Sequence, residues 1–189
     1  MKNIILLGGN GYIGRHVTEK WIARDNEATF YVISRSGKNK FNNPRVKNLR
    51  ADVTDYQSIK SVLPEKIDCI VDFVGRPEKD QDALNKINKL PAEVMLRVAK
   101  EYNVDKLGFI GGILGPKSFV EIKSQIITML KGSGKKIAYV EPTLVYGDDR
   151  KDTMTKMVPI LKFFGIFSKN LRPVHINDVA NELVDKLTK

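Results

Sequence analysis

A glycine-rich stretch near the beginning of the chain has the residue types and spacing of a phosphate-binding turn. The apolar run Ile4 to Leu7 leads directly into Gly8-Gly9-Asn10-Gly11-Tyr12-Ile13-Gly14. Glycines allow the backbone to approach an anion closely, and a following helix presents N–H groups and the positive end of its dipole. The turn therefore predicts pyrophosphate binding, with either Gly8 or Gly9 as its first glycine. The predicted phosphate-binding residues are Gly8, Gly11, Tyr12, Ile13 and Gly14.

The residues after the last glycine distinguish two kinds of phosphate site. Gly9 and Gly14 also have the spacing of a P-loop, but that motif requires Lys followed by Ser or Thr. This chain has Arg15 and His16 at those positions. Apolar residues at four-residue spacing follow, as expected for a helix that packs on one face. This context favours a dinucleotide site over a P-loop and over an ordinary glycine turn.

The end of the second predicted strand bears on which dinucleotide would bind. Ala28 to Ile33 is rich in β-branched and aromatic residues and continues into Ser34-Arg35-Ser36-Gly37. In a dinucleotide fold an acid near this point accepts a hydrogen bond from the ribose 2′-hydroxyl, whereas an arginine pairs with a 2′-phosphate. The acid is missing and Arg35 is present. The sequence therefore predicts NADP, with NAD as the alternative. Arg35 could instead be a loop arginine that points into solvent, and Arg15 could share the role of pairing with the phosphate.

Strand-like and helix-like segments alternate along the whole chain. Strands are predicted at residues 4–7, 28–33, 46–53, 66–75, 107–110 and 136–140. A long helical pattern contains Pro91, which predicts either a kink or a new helix with the proline in its first turn. A last helix is predicted from Asn177, as its cap, to Leu187. We therefore expect an α/β fold, a doubly wound parallel sheet with its ligand at the carboxyl ends of the strands, in one domain spanning residues 1–189.

Composition limits the class of protein. The 189 residues include 32 basic and 22 acidic ones, for a net charge of +10. The lysines are dispersed among acids, which favours a solvated basic surface over a nucleic-acid site. Cys69, the single cysteine, excludes an internal disulfide and an all-cysteine metal site, and its apolar neighbours predict an inert buried thiol. No apolar run reaches membrane-spanning length, so the expected location is the cytoplasm.

Several landmarks in order resemble the extended and atypical short-chain dehydrogenase/reductase superfamily, in its epimerase/dehydratase or NmrA-like branch. The glycine stretch matches the glycine motif of that superfamily, and Asp52-Val53 is similar to its adenine-contacting pair. Asn88 corresponds to an asparagine of the fourth helix. The resemblance implies a Rossmann-like fold that binds NAD or NADP. Two later segments also match it: Glu141-Pro142-Thr143-Leu144-Val145-Tyr146-Gly147, where Pro142 would lie near the nicotinamide, and Val174 to Ala180. Gly75, at the end of the fourth predicted strand, completes the predicted cofactor-binding set.

The sequence departs from the superfamily at the catalytic residues. Active relatives have Ser or Thr after the fifth strand and Tyr-x-x-x-Lys on the next helix, whereas this chain has Gly111-Gly112 and Phe119 followed by Lys123. A phenyl ring cannot exchange a proton. Lys123 therefore either holds the ribose or acts itself as acid or base, and Tyr146 and His175 are the other candidates. The predicted catalytic residues are Lys123 and Tyr146.

The second departure is the length of the chain. Extended relatives continue into a substrate domain, which this sequence is expected to lack. Residues 148–171 contain the apolar cluster Phe163-Phe164-Gly165-Ile166-Phe167 and would then be a lid, a contact surface for a second copy or a partner, or core. Two functions remain open. One is an NADP(H)-dependent oxidoreductase acting on a small molecule. The other is a non-catalytic redox sensor that binds the nicotinamide dinucleotide and regulates a partner. A nucleic-acid-associated protein is the third and least favoured reading.

Overall fold

A six-stranded parallel sheet forms the centre of the molecule, in the order β3-β2-β1-β4-β5-β6. The computed structural model describes residues 2–148, 150, 158–159 and 172–189. The strands are β1 (Asn3–Leu7), β2 (Thr29–Ser34), β3 (Val46–Arg50), β4 (Cys69–Asp72), β5 (Lys106–Ile110) and β6 (Lys136–Val140). The predicted α/β class and parallel sheet are therefore confirmed, and strand order reverses between β1 and β4.

Helices cover both faces of the sheet. In the described part of the chain they are α1 (Tyr12–Arg24), α2 (Tyr56–Lys60), α3 (Gln81–Glu101), α4 (Lys117–Lys131) and α5 (Ile176–Thr188). One apolar core lies between the sheet and helices α2, α3 and α4, and a second lies between the sheet and helices α1 and α5. Because a parallel strand is covered on both faces, β1 and β4 read as nearly continuous apolar runs.

Two strands end earlier than the sequence predicts, and an aspartate lies at the end of one and two residues after the end of the other. β3 stops at Arg50, and the Asp52 carboxylate then accepts a hydrogen bond from the Thr54 N–H at 2.9 Å. β4 stops at Asp72, whose carboxylate accepts one from the Val74 N–H at 2.8 Å. In both cases the side chain satisfies a backbone donor two residues later and so competes with continued strand pairing.

Two helix predictions are settled by the structure. α3 continues through Pro91 as one helix, so the alternative of a restarted helix is wrong. The last helix begins at Ile176, and its cap is His175, whose Nδ1 accepts the Asn177 N–H at 3.2 Å, so the prediction of Asn177 as cap is also wrong. A histidine ring nitrogen here accepts the backbone N–H that a hydroxyl or carboxylate oxygen usually accepts at a helix N-terminus.

A small parallel pair of strands lies beyond the main sheet. It consists of β7 (Val145–Tyr146) and β8 (Val174–His175) and places Tyr146 opposite His175. Most of segment 148–171, including the cluster around Phe163, lies outside the described residues, so its predicted role as lid or contact surface stays a prediction. Among the described helices, none is long and apolar enough to cross a membrane.

Candidate functional site

A continuous cleft runs along the carboxyl ends of β1, β2 and β4, where the strand order reverses. It consists of three adjoining depressions of about 420, 310 and 520 Å³, named here the Asp52, Ser34 and glycine depressions after residues that line them. The Asp52 and Ser34 depressions share Arg35 and Val53. The glycine depression shares Gly8 with the Ser34 depression and Gly75 with the Asp52 depression. An elongated ligand could therefore span all three without leaving the protein surface.

The glycine turn forms the floor of the glycine depression, and its glycines differ in their surroundings. Gly8 has φ +69° and its N–H donates to the Ile33 carbonyl of β2 at 2.9 Å. A Cβ on Gly14 would lie 2.6 Å from the Gly9 Cα, whereas a Cβ on Gly11 would lie 3.2 Å from its nearest neighbour, the Gly8 oxygen. Gly14 and Gly9 thus let α1 pack onto the turn, while Gly11 leaves the α1 N-terminus open, without a side-chain cap. The sequence left open whether Gly8 or Gly9 is the first glycine of the motif. Gly8 lines the depression, whereas Gly9 contacts α1 through Gly14.

Basic side chains surround the glycine depression. Arg15, Lys40 and Arg150 line it together with the N-terminal turn of α1. The Arg150 guanidinium lies 5.5 Å from the centre of the Tyr12 ring and donates to the Val145 carbonyl at 2.7 Å. Since a helix N-terminus already favours negative charge, this depression suits a phosphate or pyrophosphate.

The Asp52 depression brings together charged side chains from three elements. Arg35 comes from the end of β2, Asp52 and Val53 from the turn after β3, and Lys86 from α3. Hydrogen bonds from the Thr54 N–H and hydroxyl, with smaller contributions from the charges of Arg35 and Lys86, lower the pKa of Asp52. Asp52 is therefore a stable hydrogen-bond acceptor at neutral pH, and Arg35 and Lys86 provide positive charge beside it.

Apolar residues meet at the carboxyl end of β5, the strand next to β4 in the sheet. A Cβ on Gly112 would lie 3.7 Å from the Phe119 ring edge and 3.9 Å from the Pro142 carbonyl oxygen. That oxygen accepts the Ile113 N–H at 3.3 Å, which fixes Pro142 beside the end of β5. Phe119, Gly112 and Pro142 therefore lie close together, and a phenyl ring occupies the place for which the resemblance implies a phenol.

Lys123, predicted as a ribose-binding or catalytic residue, is buried on α4 and reaches the end of β4. Its Nζ donates to the Val74 carbonyl at 3.2 Å and lies 4.7 Å from the centre of the Phe109 ring. A Cβ on Gly75 would come within 2.6 Å of this nitrogen, so only glycine leaves room for it. Burial lowers the pKa of Lys123 to about 8, and the charge of Asp72 opposes that shift.

Asp72 and Asn88 flank Lys123 and each has an unused polar atom. Burial raises the pKa of Asp72 to about 7, against the opposing charge of Lys123 and the Val74 N–H. Asp72 Oδ2 and Asn88 Oδ1 are buried without hydrogen-bond partners, although the Asn88 amide donates to the carbonyls of Leu84 and Arg76, both at 2.9 Å. Buried polar atoms normally have partners, so the two oxygens and Lys123 form an incompletely satisfied polar cluster.

Tyr146 and His175 lie together on the β7–β8 pair. Their rings meet edge to face with centroids 5.3 Å apart, and His175 caps α5. A Cβ on Gly147 would lie 2.4 Å from His175 Nε2, so the ring is tightly enclosed. These contacts account for His175 as a capping residue. Tyr146 packs with Leu114, Leu144 and Val158, which form a small apolar cluster.

The family to which this chain belongs follows from its sequence match as well as from this architecture. Residues 4–124 match the model of the NAD dependent epimerase/dehydratase family, which is more than half of the chain. The chain belongs to that family. The epimerase/dehydratase family membership confirms the predicted superfamily and its NAD(P)-binding Rossmann fold, while the choice between NADP and NAD is not decided by it.

Two relatives and one solved structure are similar to this chain. Eugenol synthase 1 of Petunia hybrida is 27% identical over 154 residues, covering 76% of this chain and 49% of that enzyme. UDP-glucose 4-epimerase of Lacticaseibacillus casei is 29% identical over 112 residues, covering 56% of this chain and 34% of that enzyme. The Bordetella bronchiseptica enzyme WbmH, solved with NAD⁺, superposes with a TM-score of 0.70 at 17% identity, covering 100% of this chain and 72% of WbmH. This chain thus spans half or less of the length of the two relatives.

Sequence reasoning missed two residues at the site: Lys86, which lines the cleft, and Asp72, which is buried behind its wall. Lys86 faces Asp52 from an ordinary amphipathic helix, and nothing in its local sequence distinguishes it from other exposed lysines. Asp72 had a signal: it is a carboxyl residue at the end of the apolar strand Cys69–Asp72, where burial is expected on both faces. By contrast, burial raises the pKa of Cys69 to about 12, in agreement with the predicted inert thiol.

A separate basic depression of about 450 Å³ lies at the amino-terminal edge of the sheet. It is lined by lysines that include Lys106, Lys136 and Lys186. The amine of Lys106 donates to the Leu187 carbonyl at 2.8 Å, and that of Lys186 to the Tyr139 carbonyl at 3.0 Å. Two of these lysines thus stabilise the end of α5 and its packing on β6, a structural use for part of the net positive charge.

Proposed function

We propose that this protein binds NADP(H) in the cleft and acts as an oxidoreductase on a small molecule. The observation that carries the cofactor choice is Arg35, which lines both the Asp52 and Ser34 depressions, with no acid at the end of β2. A guanidinium at this point would pair with the 2′-phosphate of NADP. An acid at the same point would instead accept a hydrogen bond from the ribose 2′-hydroxyl of NAD.

The residues present fit such a dinucleotide. The open α1 N-terminus at Gly11, with basic Arg15 and Lys40 around it, would hold the pyrophosphate. Asp52 and Val53 would contact the adenine. Lys123 and Asn88, beside Gly75, have the buried donor and the unpartnered acceptor that a ribose hydroxyl could satisfy.

The nicotinamide would supply or accept the hydride, and the protein would position it. Pro142, Gly112 and Phe119 would form a dry wall next to the nicotinamide, which excludes water from the hydride path. The Lys123 amine lies 5.7 Å from the centre of the Phe119 ring, which occupies the predicted position of the missing phenol. Lys123 would therefore donate or accept the proton, with Tyr146 as the second candidate.

A non-catalytic redox sensor is the second candidate, favoured by one observation. Phe119 and Gly111-Gly112 remove both hydroxyl groups that a reductase of this fold uses as proton donor and substrate anchor. A protein that discriminates the redox states of a nicotinamide dinucleotide needs neither hydroxyl.

The deciding experiment follows nicotinamide fluorescence. The full chain is titrated with NADPH, NADP⁺, NADH and NAD⁺, and the complexes are then offered a panel of carbonyl and enone compounds. Turnover that is lost in Lys123→Met and kept in Lys117→Met, an exposed lysine six residues earlier on α4, supports the oxidoreductase. Tight binding that differs between NADPH and NADP⁺, without any turnover, supports the sensor. Failure of all four dinucleotides to bind at millimolar concentration contradicts both.

A further inference from the structure

The buried carboxyl of Asp72 lies on the same side of the sheet as the Lys123 amine. Side chains of a strand alternate between faces, so Asp72 points to the same face as Ile70, which is packed in the core beneath α3 and α4. Lys123 belongs to α4, the helix that covers this face, and is also buried. Asp72 has no exposed surface and Lys123 is 4% exposed.

The backbone of one residue, Val74, links the two side chains. Asp72 Oδ1 accepts the Val74 N–H at 2.8 Å, and Lys123 Nζ donates to the Val74 carbonyl at 3.2 Å. Val74 and Gly75 in turn line the Asp52 depression. The pair therefore lies directly behind the cleft wall, and a ligand that displaces the Val74–Gly75 backbone would act on both groups.

The surroundings of the pair contain polar and aromatic groups but contribute no competing charge among the described residues. Asn88 from α3, Phe109 from β5 and Phe119 from α4 are its neighbours. The charge of Asp72 raises the pKa of Lys123, and the charge of Lys123 lowers the pKa of Asp72. An isolated buried charge is far more costly than a pair, so the ionisation of one group depends on that of the other.

We propose that Asp72 and Lys123 form one electrostatically coupled pair across the Val74 backbone, in which Asp72 is a positioning residue that sets the charge Lys123 presents to a ligand at this end of the cleft. The pair holds one proton near neutral pH, either on the Lys123 amine beside a carboxylate or on the Asp72 carboxyl beside a neutral amine. The two arrangements have the same net charge of zero and differ in which end of the pair carries the proton. The unpartnered Oδ2 is the atom that would carry it on Asp72.

The pair titrates in two shared steps because its groups are strongly coupled. Burial raises the pKa of Asp72 to about 7 and lowers that of Lys123 to about 8, so both steps fall near neutral pH. Acid adds a second proton and leaves a cation, and base removes the only proton and leaves an anion. Ligand binding at Lys123 should therefore change with pH across this window, a dependence that an exposed lysine would not produce below about pH 10. This last step rests on the proposed dinucleotide site, whereas the coupling of the two groups does not.

The coupling is tested by NMR titration of the full chain with ¹³C-labelled lysine and aspartate. The Lys123 Cε signal is assigned by its loss in Lys123→Met, and the variant Asp72→Asn keeps the Val74 hydrogen bond while removing the carboxylate. Without the carboxylate, the Lys123 midpoint should fall by at least about one pH unit, or tenfold in proton affinity, because the opposing charge no longer favours the ammonium. Glu121→Gln, which removes an exposed carboxylate two residues before Lys123, is the matched control and should leave the midpoint unchanged.

A second variant keeps the test decisive if Asp72→Asn does not fold. In Lys123→Met the midpoint of the Asp72 Cγ signal should rise further, since the stabilising ammonium is absent. Equal Lys123 midpoints in wild type, Asp72→Asn and Glu121→Gln, or an Asp72 midpoint that is unaffected by Lys123→Met, would overturn the pair. NADP⁺ affinity measured from pH 6 to 9 adds the ligand arm, in which the pH midpoint should shift downward in Asp72→Asn. A chain that binds no dinucleotide contradicts the proposed function, while the NMR titrations still decide the pair.

Discussion

The Lys123 amine lies 5.7 Å from the centre of the Phe119 ring, four residues earlier on α4. Residues four apart on a helix lie on one face, so a hydroxyl added to this ring would extend from the same face that presents the amine. The helix thus retains the relative placement of an acid–base pair in which one partner lacks its ionisable group.

Phe119→Tyr should therefore create a phenol with an unusually low pKa. A neighbouring ammonium favours the phenolate, so its pKa should fall below the ordinary value of about 10. Ultraviolet absorbance of the phenolate during a pH titration measures this without a substrate. Phe41→Tyr, in the loop before β3, should titrate normally. If the oxidoreductase proposal holds, Phe119→Tyr should also raise turnover by roughly 100-fold.

Gly11 and Gly14 should respond differently to the same added methyl group. Gly14→Ala would place its Cβ 2.6 Å from Gly9 Cα, so we expect a loss of about 1–3 kcal/mol in the free energy of unfolding, measured with denaturant. Gly11→Ala meets its nearest neighbour, the Gly8 carbonyl oxygen, at 3.2 Å and should cost less stability than Gly14→Ala. It should nevertheless abolish dinucleotide binding, because the methyl group covers the α1 N-terminus. Undiminished NADPH affinity in Gly11→Ala would mean that the phosphates lie elsewhere.

Arg35→Asp should reverse the cofactor preference. The guanidinium would no longer neutralise a 2′-phosphate, and the new acid would repel it while accepting from a ribose hydroxyl. NADP⁺ affinity should fall by about 100-fold, with NAD⁺ affinity unchanged or improved. Lys66→Asp, an equal change of charge on a lysine 76% exposed before β4, should affect both cofactors equally. Equal loss of both in Arg35→Asp would contradict the NADP assignment.

Asp72 should make the protein less stable as pH rises through the acid range. Its pKa is raised by burial to about 7, so the folded state retains a proton that the unfolded chain releases near pH 4. The unfolding free energy contributed by this group is therefore fully present below about pH 4 and is lost as pH rises towards 7, by up to about 1.4 kcal/mol per pH unit. Denaturant unfolding at several pH values should show this slope in wild type and not in Asp72→Asn.

Asp52, whose pKa is lowered by the Thr54 hydrogen bonds, contributes to stability with the opposite sign. Asp52→Asn should therefore lose stability that wild type has above pH 4.

The sequence was sufficient for what depends on residues close together in the chain. Periodicity and glycine spacing predicted the alternation of strands and helices, the turn at Gly8 to Gly14 and the parallel sheet, because strand, turn and helix preferences are local. The local patterns were wrong about where some strands and helices begin or end. β4 stops at Asp72 and α5 begins after His175, since in both places a side chain bonds a nearby backbone N–H that the pattern does not reveal.

Only the tertiary structure could decide which distant residues share the cleft. Lys123 contacts the carbonyl of Val74, 49 positions earlier, because α4 crosses the face of the sheet where β4 ends. Burial between those elements, rather than any feature of the sequence around either residue, makes Asp72 and Lys123 sensitive to each other's charge. A short-range pattern carries information about backbone preference and amphipathicity. The desolvation and pairing that govern ionisation exist only once the chain has folded.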